Sequence, residues 1–185
     1  MARAQEKKII FTVGHSNRTI EEFIELLKSH GIEEIADVRS IPRSGYNPQF
    51  NETGLSLSLK KAGIAYRHVE KLGGLRHAKK DSVNLGWKNK SFRGYADYMG
   101  TQSFADGLDT LMKIAAAKKT AIMCAEAVPW RCHRSLISDA LMKKKWRIED
   151  ITGKSRTHRH TLTPFLRLRG GKLVYPEIAG QQKLV

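Results

Sequence analysis

A chain of 185 residues, 41% apolar and 28% charged, has the size and composition of one globular domain, which excludes a disordered or low-complexity scaffold. Its net charge of +15 and pI near 10 point to a polyanionic partner, nucleic acid (DNA or RNA) above all. No apolar run approaches the roughly 18–20 residues that cross a bilayer, and the opening MARAQEKK lacks the apolar core of a secretory signal, so a cytoplasmic protein with no membrane partner is expected.

Residues 8–13 are a continuous apolar run that reads as a strand, ended by Gly14-His15-Ser16-Asn17-Arg18. Thr19 with Glu22 is a capping box for a helix over 19–30, whose stripe is Ile20, Phe23, Ile24 and Leu27 and whose end is marked by Gly31. A second strand over 34–38 leads into a polar, Pro-containing loop, 39–49, then a helix over 55–62 stopped by Gly63 and a third strand over 64–69. This βαβαβ order predicts right-handed crossovers and a parallel sheet. Residues 72–92 lack periodicity and read as a long basic loop, a kind of segment that is usually functional. Helical spacing resumes over 95–118, broken near Gly100. A strand over 120–123, a helix over 135–141 with Leu136, Ile137, Ala140 and Leu141 on one side, and a last strand over 146–151 follow. The expectation is a single-domain α/β fold in three layers with a mostly parallel sheet and a ligand cleft at the strand C-terminal ends. The domain is placed at 1–168, with residues 153–169 on its surface and 169–185 as a C-terminal extension.

The most informative stretch is TAIMCAEAVPWRCHRSLISDAL, residues 120–141, where a strand feeds a helix through a loop holding both cysteines, Cys124 and Cys132. Two clustered cysteines in a polar loop favour a reactive or ligand role over a structural disulfide. A thiol at a helix N-terminus among Arg131, His133 and Arg134 is expected to have a lowered pKa. Cys124, Glu126, His15, Asp37 and His133 are the candidate catalytic groups, all at strand ends or in this loop. Arg39, Arg43, Arg131, Arg134 and Ser16 are the candidate anion and phosphate ligands, arginine being suited to bidentate phosphate contacts.

Cys124 and Arg131 form a C-x6-R spacing similar to the shorter loops of rhodaneses and cysteine phosphatases, and Asp37-Val38-Arg39 is similar to the rhodanese DVR, although Pro129 removes an N–H from any anion cradle. Cys124, Cys132 and His133, joined by His15 or His68, are weak metal candidates because the usual C-x2-4-C hook is absent, so no cofactor or metal is predicted. In Trp87, Lys88, Lys90, Arg93 and Tyr95, aromatics alternate with cations, a mixture suited to stacking on bases with phosphates alongside. Residues 58–93 carry ten Lys/Arg against two acids, and residues 150–185 seven against two.

The segments TVGHSNRTIEEFIELLKSHGI, DVRSIPRSGYNPQFN, LGGLR, FRGYADYM and MCAEAVPWRCHRSLI, in that order, resemble the DUF488 family of bacterial and archaeal proteins, across roughly residues 8–168. The resemblance implies a compact α/β fold and a polar cleft, but no reaction, since the family is a domain of unknown function. Its signature positions fall on His15, Ser16, Asp37, Arg39, Pro42, Cys124, Glu126, Cys132, His133 and Arg134, all intact. The function expected from the residues is an enzyme acting on a phosphate-bearing substrate, nucleic acid or nucleotide, through the Cys/Glu/Arg loop. The alternatives are a non-catalytic nucleic-acid-binding or repair accessory module, and a rhodanese-like or phosphatase-like thiolate enzyme on a small anion.

Overall fold

The computed structural model describes residues 8–177. Five parallel strands, β1 (Ile9–Gly14), β2 (Glu34–Asp37), β3 (Ala65–His68), β4 (Thr120–Cys124) and β5 (Arg147–Gly153), make the sheet. A sixth, β6 (Arg156–Arg159), closes one edge antiparallel to β5, giving the spatial order β3-β2-β4-β1-β5-β6. The two-residue period of a strand sends alternate side chains to opposite faces. Phe11, Val13, Ile35, Ala121 and Met123 pack against α1 (Ile20–Ser29) and α2 (Glu52–Lys61). Ile10, Ala36, Ile122 and Ile148 pack against α3 (Lys90–Tyr98), α4 (Gln102–Ala117) and α5 (Arg134–Lys143). The fold is therefore the expected three-layer α/β domain with a mostly parallel sheet.

Local chemistry sets the boundaries. Thr19 Oγ1 accepts from the Glu22 N–H (3.2 Å) while Glu22 Oε2 accepts from the Thr19 N–H (2.9 Å), the reciprocal cap anticipated for α1, with about 1 kcal/mol expected from such a cap. The helical run expected over 95–118 is two helices. Asn89 Oδ1 accepts from the N–H groups of Ser91 and Phe92 and so starts α3 early, and Thr101 Oγ1 caps α4. The long loop before α3 is tied down by one carboxylate of that helix: Asp97 accepts from the Lys79 N–H, Ser82 Oγ and Asn84 Nδ2.

The expected boundary at 168 does not hold. β7 (Arg167–Arg169) and β8 (Lys172–Val174) form a hairpin turned by Gly170 and Gly171, both at positive φ, the backbone that a two-residue hairpin turn requires. The chain then buries Tyr175 completely in the core beside α5. Tyr175 Oη donates to Asp139 Oδ2 (2.9 Å), and the same carboxylate accepts from Thr163 Oγ1 (2.7 Å) and His160 Nε2 (3.0 Å). For this reason α5 is buried from Arg134 to Leu141 on all sides, where a one-sided helix was expected. The last part of the expected extension, 178–185, lies outside the described residues. No helix among the described residues is long and apolar enough to cross a membrane.

At the tips of β1 and β4, which pair with Gly14 opposite Cys124, the chain leaves toward opposite faces, to α1 and to α5. Diverging loops at neighbouring strand ends open a crevice there.

If the C-terminal segment belongs to the cooperative unit, Tyr175→Ala should lose about 3–5 kcal/mol in thermal or urea unfolding, and Tyr175→Phe only the hydrogen-bond part of that. A Tyr175→Ala variant with the native midpoint would refute this.

Candidate active site

The crevice is a cavity of about 440 Å³ lined by His15, Arg39, Arg43, Cys124, Glu126, Arg131, Cys132 and His133, with Ile41, Leu75 and Phe92 as apolar walls. Two glycines let its backbone close up. A Cβ on Gly14 would lie 2.0 Å from the Glu126 carbonyl oxygen, and one on Gly74 would lie 2.5 Å from His133 Nδ1. The first lets the cysteine loop cross the end of β1, where the N–H groups of His15 and Ser16 donate to the carbonyls of Cys124 and Ala125. The second explains why LGGLR is needed: the chain must pass against the His133 ring.

The floor is built around Arg134, whose guanidinium is 1% exposed. Its Nε donates to Cys132 Sγ (3.4 Å), Nη2 to the Glu126 carbonyl (2.5 Å) and Nη1 to Thr12 Oγ1 (3.4 Å). Among the described residues it forms no ion pair with a carboxylate. A buried cation needs a compensating anion, and the group in hydrogen-bond reach that can supply one is the Cys132 sulfur. The hydrogen bond between the two thiols, with His133 and Arg134 adding to it, holds Cys132 well below the ordinary thiol range. Cys124 is pushed well above that range, first by the same hydrogen bond and then by burial. Of the two thiols in the loop it is therefore Cys132, beside His133 and Arg134, that is lowered, and Cys124 that is raised. His133 Nε2 donates to the Val38 carbonyl (2.8 Å) and turns Nδ1 toward Cys132 Sγ, 3.6 Å away.

A second network fixes Arg39. Asp37, fully buried, accepts from Arg39 Nε (2.9 Å) and Nη2 (2.5 Å) and from Tyr66 Oη (2.8 Å). Burial works against the Arg39 charge, but the bonds to Asp37 outweigh it and raise the pKa. Arg39 Nη1 then points to His15 Nε2 (3.5 Å), while His15 Nδ1 donates to the Ser16 carbonyl (2.8 Å) and the ring stacks on Phe50 at 4.1 Å. Burial lowers the His15 pKa to about 4, against the Ser16 hydrogen bond and with the help of Arg39, so the ring is neutral near pH 7.

These contacts sort the expected site residues. Cys124, Glu126, His15, His133, Arg39, Arg43 and Arg131 meet at the cavity, with Arg43, Glu126 and Arg131 exposed at its rim. Asp37 and Arg134 lie behind it as positioning groups, each already engaged by protein. Ser16, at φ 52°, donates to Asn17 and does not line the cavity. Tyr95 is a correction: it is fully buried and donates to the Leu72 carbonyl, so it cannot stack on a base. Trp87 is half-buried against Phe92, Phe165 and Tyr175. Arg93 Nε donates to the Trp87 carbonyl, Lys88 pairs with Glu177, and Lys90 faces solvent. Sequence reasoning missed Ser40, Ile41, Leu75 and Phe92 as cavity walls. An exposed Ile41 in the polar loop after β2 was the available signal.

The cysteine loop spends its amides internally: the N–H groups of Arg131 and Cys132 donate to the Val128 and Pro129 carbonyls, and that of Ala127 to Glu126 Oε1. They do not form the amide cradle of a short C-x5-R loop. The donor atoms of Cys124, Cys132 and His133 lie within 4.8 Å of one another, a set of soft ligands that a zinc ion would accept with a fourth position open to the cavity.

The family model for DUF488, a domain of unknown function, matches residues 19–141, more than half of the chain. The chain belongs to the DUF488 family. The matched stretch runs from α1 to the middle of α5 and holds the Asp37–Arg39 pair and the whole cysteine loop of this DUF488 protein. No curated protein and no solved structure matches the chain.

His15 supplies a pH test of the geometry. Its folded pKa lies below the unfolded value of 6.5, so the unfolded chain binds the extra proton and stability is lost as pH falls from about 6.5 to about 4. The slope reaches about 1.4 kcal/mol per pH unit. In urea unfolding across that range, His15→Gln should flatten the slope by one proton, and an unchanged slope would place the titration elsewhere.

Proposed function

We propose that this DUF488 protein is an enzyme that uses the Cys132 sulfur, held as an anion, on a phosphate-bearing substrate, a nucleotide or a nucleic acid strand. The observation that carries the reading is the buried Arg134 guanidinium, which touches the Cys132 sulfur directly and reaches the buried Asp150 carboxylate only through Thr12. An anionic sulfur supplies a nucleophile at neutral pH. Arg43 and Arg131, exposed at the rim and free of ion pairs among the described residues, hold phosphate oxygens, while Arg39 presents Nη1 from a fixed position. The sulfur attacks phosphorus and displaces the ester oxygen, which leaves with a proton from solvent. Glu126, the carboxylate on the same cavity, then takes a proton from the water that breaks the S–P bond, which releases phosphate and restores the sulfur anion. His15, neutral and bonded on both ring nitrogens, orients Arg39. The excess of cations over the chain draws a polyanion to this edge.

A second reading, a metal-dependent hydrolase with the same substrates, is favoured by one observation. The Val38 carbonyl fixes His133 so that Nδ1 faces the two sulfurs, as an outer hydrogen bond does for metal-bound histidine. Bound there, the metal would supply an activated water.

Binding and chemistry separate experimentally. Arg43→Ala with Arg131→Ala should weaken binding of a single-stranded oligonucleotide and reduce the slope of log K against log salt by about 1.4, two phosphate contacts at about 0.7 each. Cys132→Ser should keep that affinity and abolish turnover. Ultraviolet thiolate absorbance should show one ionised thiol per chain at neutral pH, absent in Cys132→Ser. Binding that is insensitive to salt, or no ionised thiol in the metal-free protein, would defeat the reading. Stoichiometric zinc in the purified protein, whose removal stops turnover, would select the metal-dependent one.

A further inference from the structure

The turn Pro129–Arg131 has two sides. Arg131 lines the cysteine cavity, while Trp130 lines a second cavity of about 300 Å³ that the chemistry above does not use. Trp130 is 67% exposed, so its ring is open to a ligand in that cavity. Opposite it are Trp87, Phe165, Asp150 and His158. Two polar groups in this wall lack protein partners. Trp87 Nε1 is buried with no hydrogen-bond acceptor among the described residues. Asp150, 3% exposed, receives Thr12 Oγ1 on Oδ1 (2.7 Å), but Oδ2 accepts no hydrogen bond among the described residues, His160 Nδ1 being 3.9 Å away. A buried N–H donor without an acceptor is costly, whereas Asp150 Oδ2 keeps some exposure and is open to a donor. Beside the cavity runs β6, whose Arg156, His158 and Arg159 are all exposed.

We propose that the Trp130 cavity is a nucleobase subsite, which holds the base of the nucleotide adjacent to the one in the cysteine cavity. A base is flat enough to stack on Trp130. Its edge offers an N–H or amino donor to Asp150 Oδ2. Arg156, on the same face of β6 as His158, meets the backbone that leaves the subsite, as Arg131 meets the backbone that enters the other cavity. The inference rests on the reading of the substrate as a phosphate-bearing nucleotide or strand, and it selects a single strand, since a paired base cannot offer that edge while stacked in a duplex.

The test uses the full chain as native protein, Trp130→Ala and Trp130→Phe, with a labelled single-stranded oligonucleotide and with a free nucleoside that has no phosphate. Trp130→Ala should weaken strand binding about 5- to 150-fold, the range for loss of one base–aromatic stack, with the salt slope unchanged and with Trp130→Phe recovering most of the loss. The nucleoside should quench fluorescence in the native protein and less in Trp130→Phe, where Trp87 is the tryptophan left in the cavity wall. Strand binding with a normal salt slope but no effect of Trp130→Ala overturns the subsite and leaves the substrate reading intact. Quenching by the nucleoside through Trp130 without salt-dependent strand binding sustains the base site and defeats the strand reading. Absence of both overturns both.

Discussion

Everything at the functional edge of this DUF488 protein depends on one buried positive charge. Arg134 opens α5 and reaches under the cysteine loop to the Glu126 carbonyl, across to Thr12 on β1, and up to the Cys132 sulfur. Three elements that are distant in sequence are thereby held by one guanidinium. Because burial makes an unmatched cation costly, the arrangement also dictates the ionisation of the sulfur that neutralises it. A structural requirement of the fold and the chemical character of the site are the same interaction.

The second constraint is positional. Arg39 would be a flexible side chain if Asp37 did not grip it through both carboxylate oxygens, with Tyr66 completing the shell. Asp37 is in turn fixed because it ends β2, which lies between β3 and β4 in the sheet, beside Met123 of β4. His15, neutral and stacked on Phe50, then takes up the remaining direction of Arg39. The cavity therefore has a rigid interior, with Arg39 and Cys132, and an exposed rim, with Arg43, Glu126 and Arg131. Rigid groups suit the reacting centre, and mobile cations suit capture of a charged ligand.

Much of the family pattern proves to be architectural. Gly94 and Tyr95 of FRGYADYM let α3 sit against the loop before it, and Asp97 holds that loop through three donors. Gly14 and Gly74 are spaces for the cysteine loop and the His133 ring. Aromatics between cations looked like a nucleic-acid surface in one dimension, but they include a core tyrosine, because the C-terminal segment and the loop 73–89 cover that side of the sheet.

Local rules were legible in the chain itself. The capping box at Thr19, the positive-φ turn at Gly31, the strand alternation and the βαβαβ order depend on residues within a few positions of one another, and they suffice for a three-layer α/β fold with its polar residues gathered at the strand ends. The tertiary structure decided which thiol is lowered, because the hydrogen bond between Cys124 and Cys132 needs the cysteine loop to fold back on itself, although His133 and Arg134, which add to it, are the next two residues in the chain. It alone decided that the segment 169–175 is anchored to the core, since Tyr175 is buried and bonded to Asp139, 36 positions away. Long-range pairing of polar groups, as between Tyr175 and Asp139, leaves no periodic trace in a sequence.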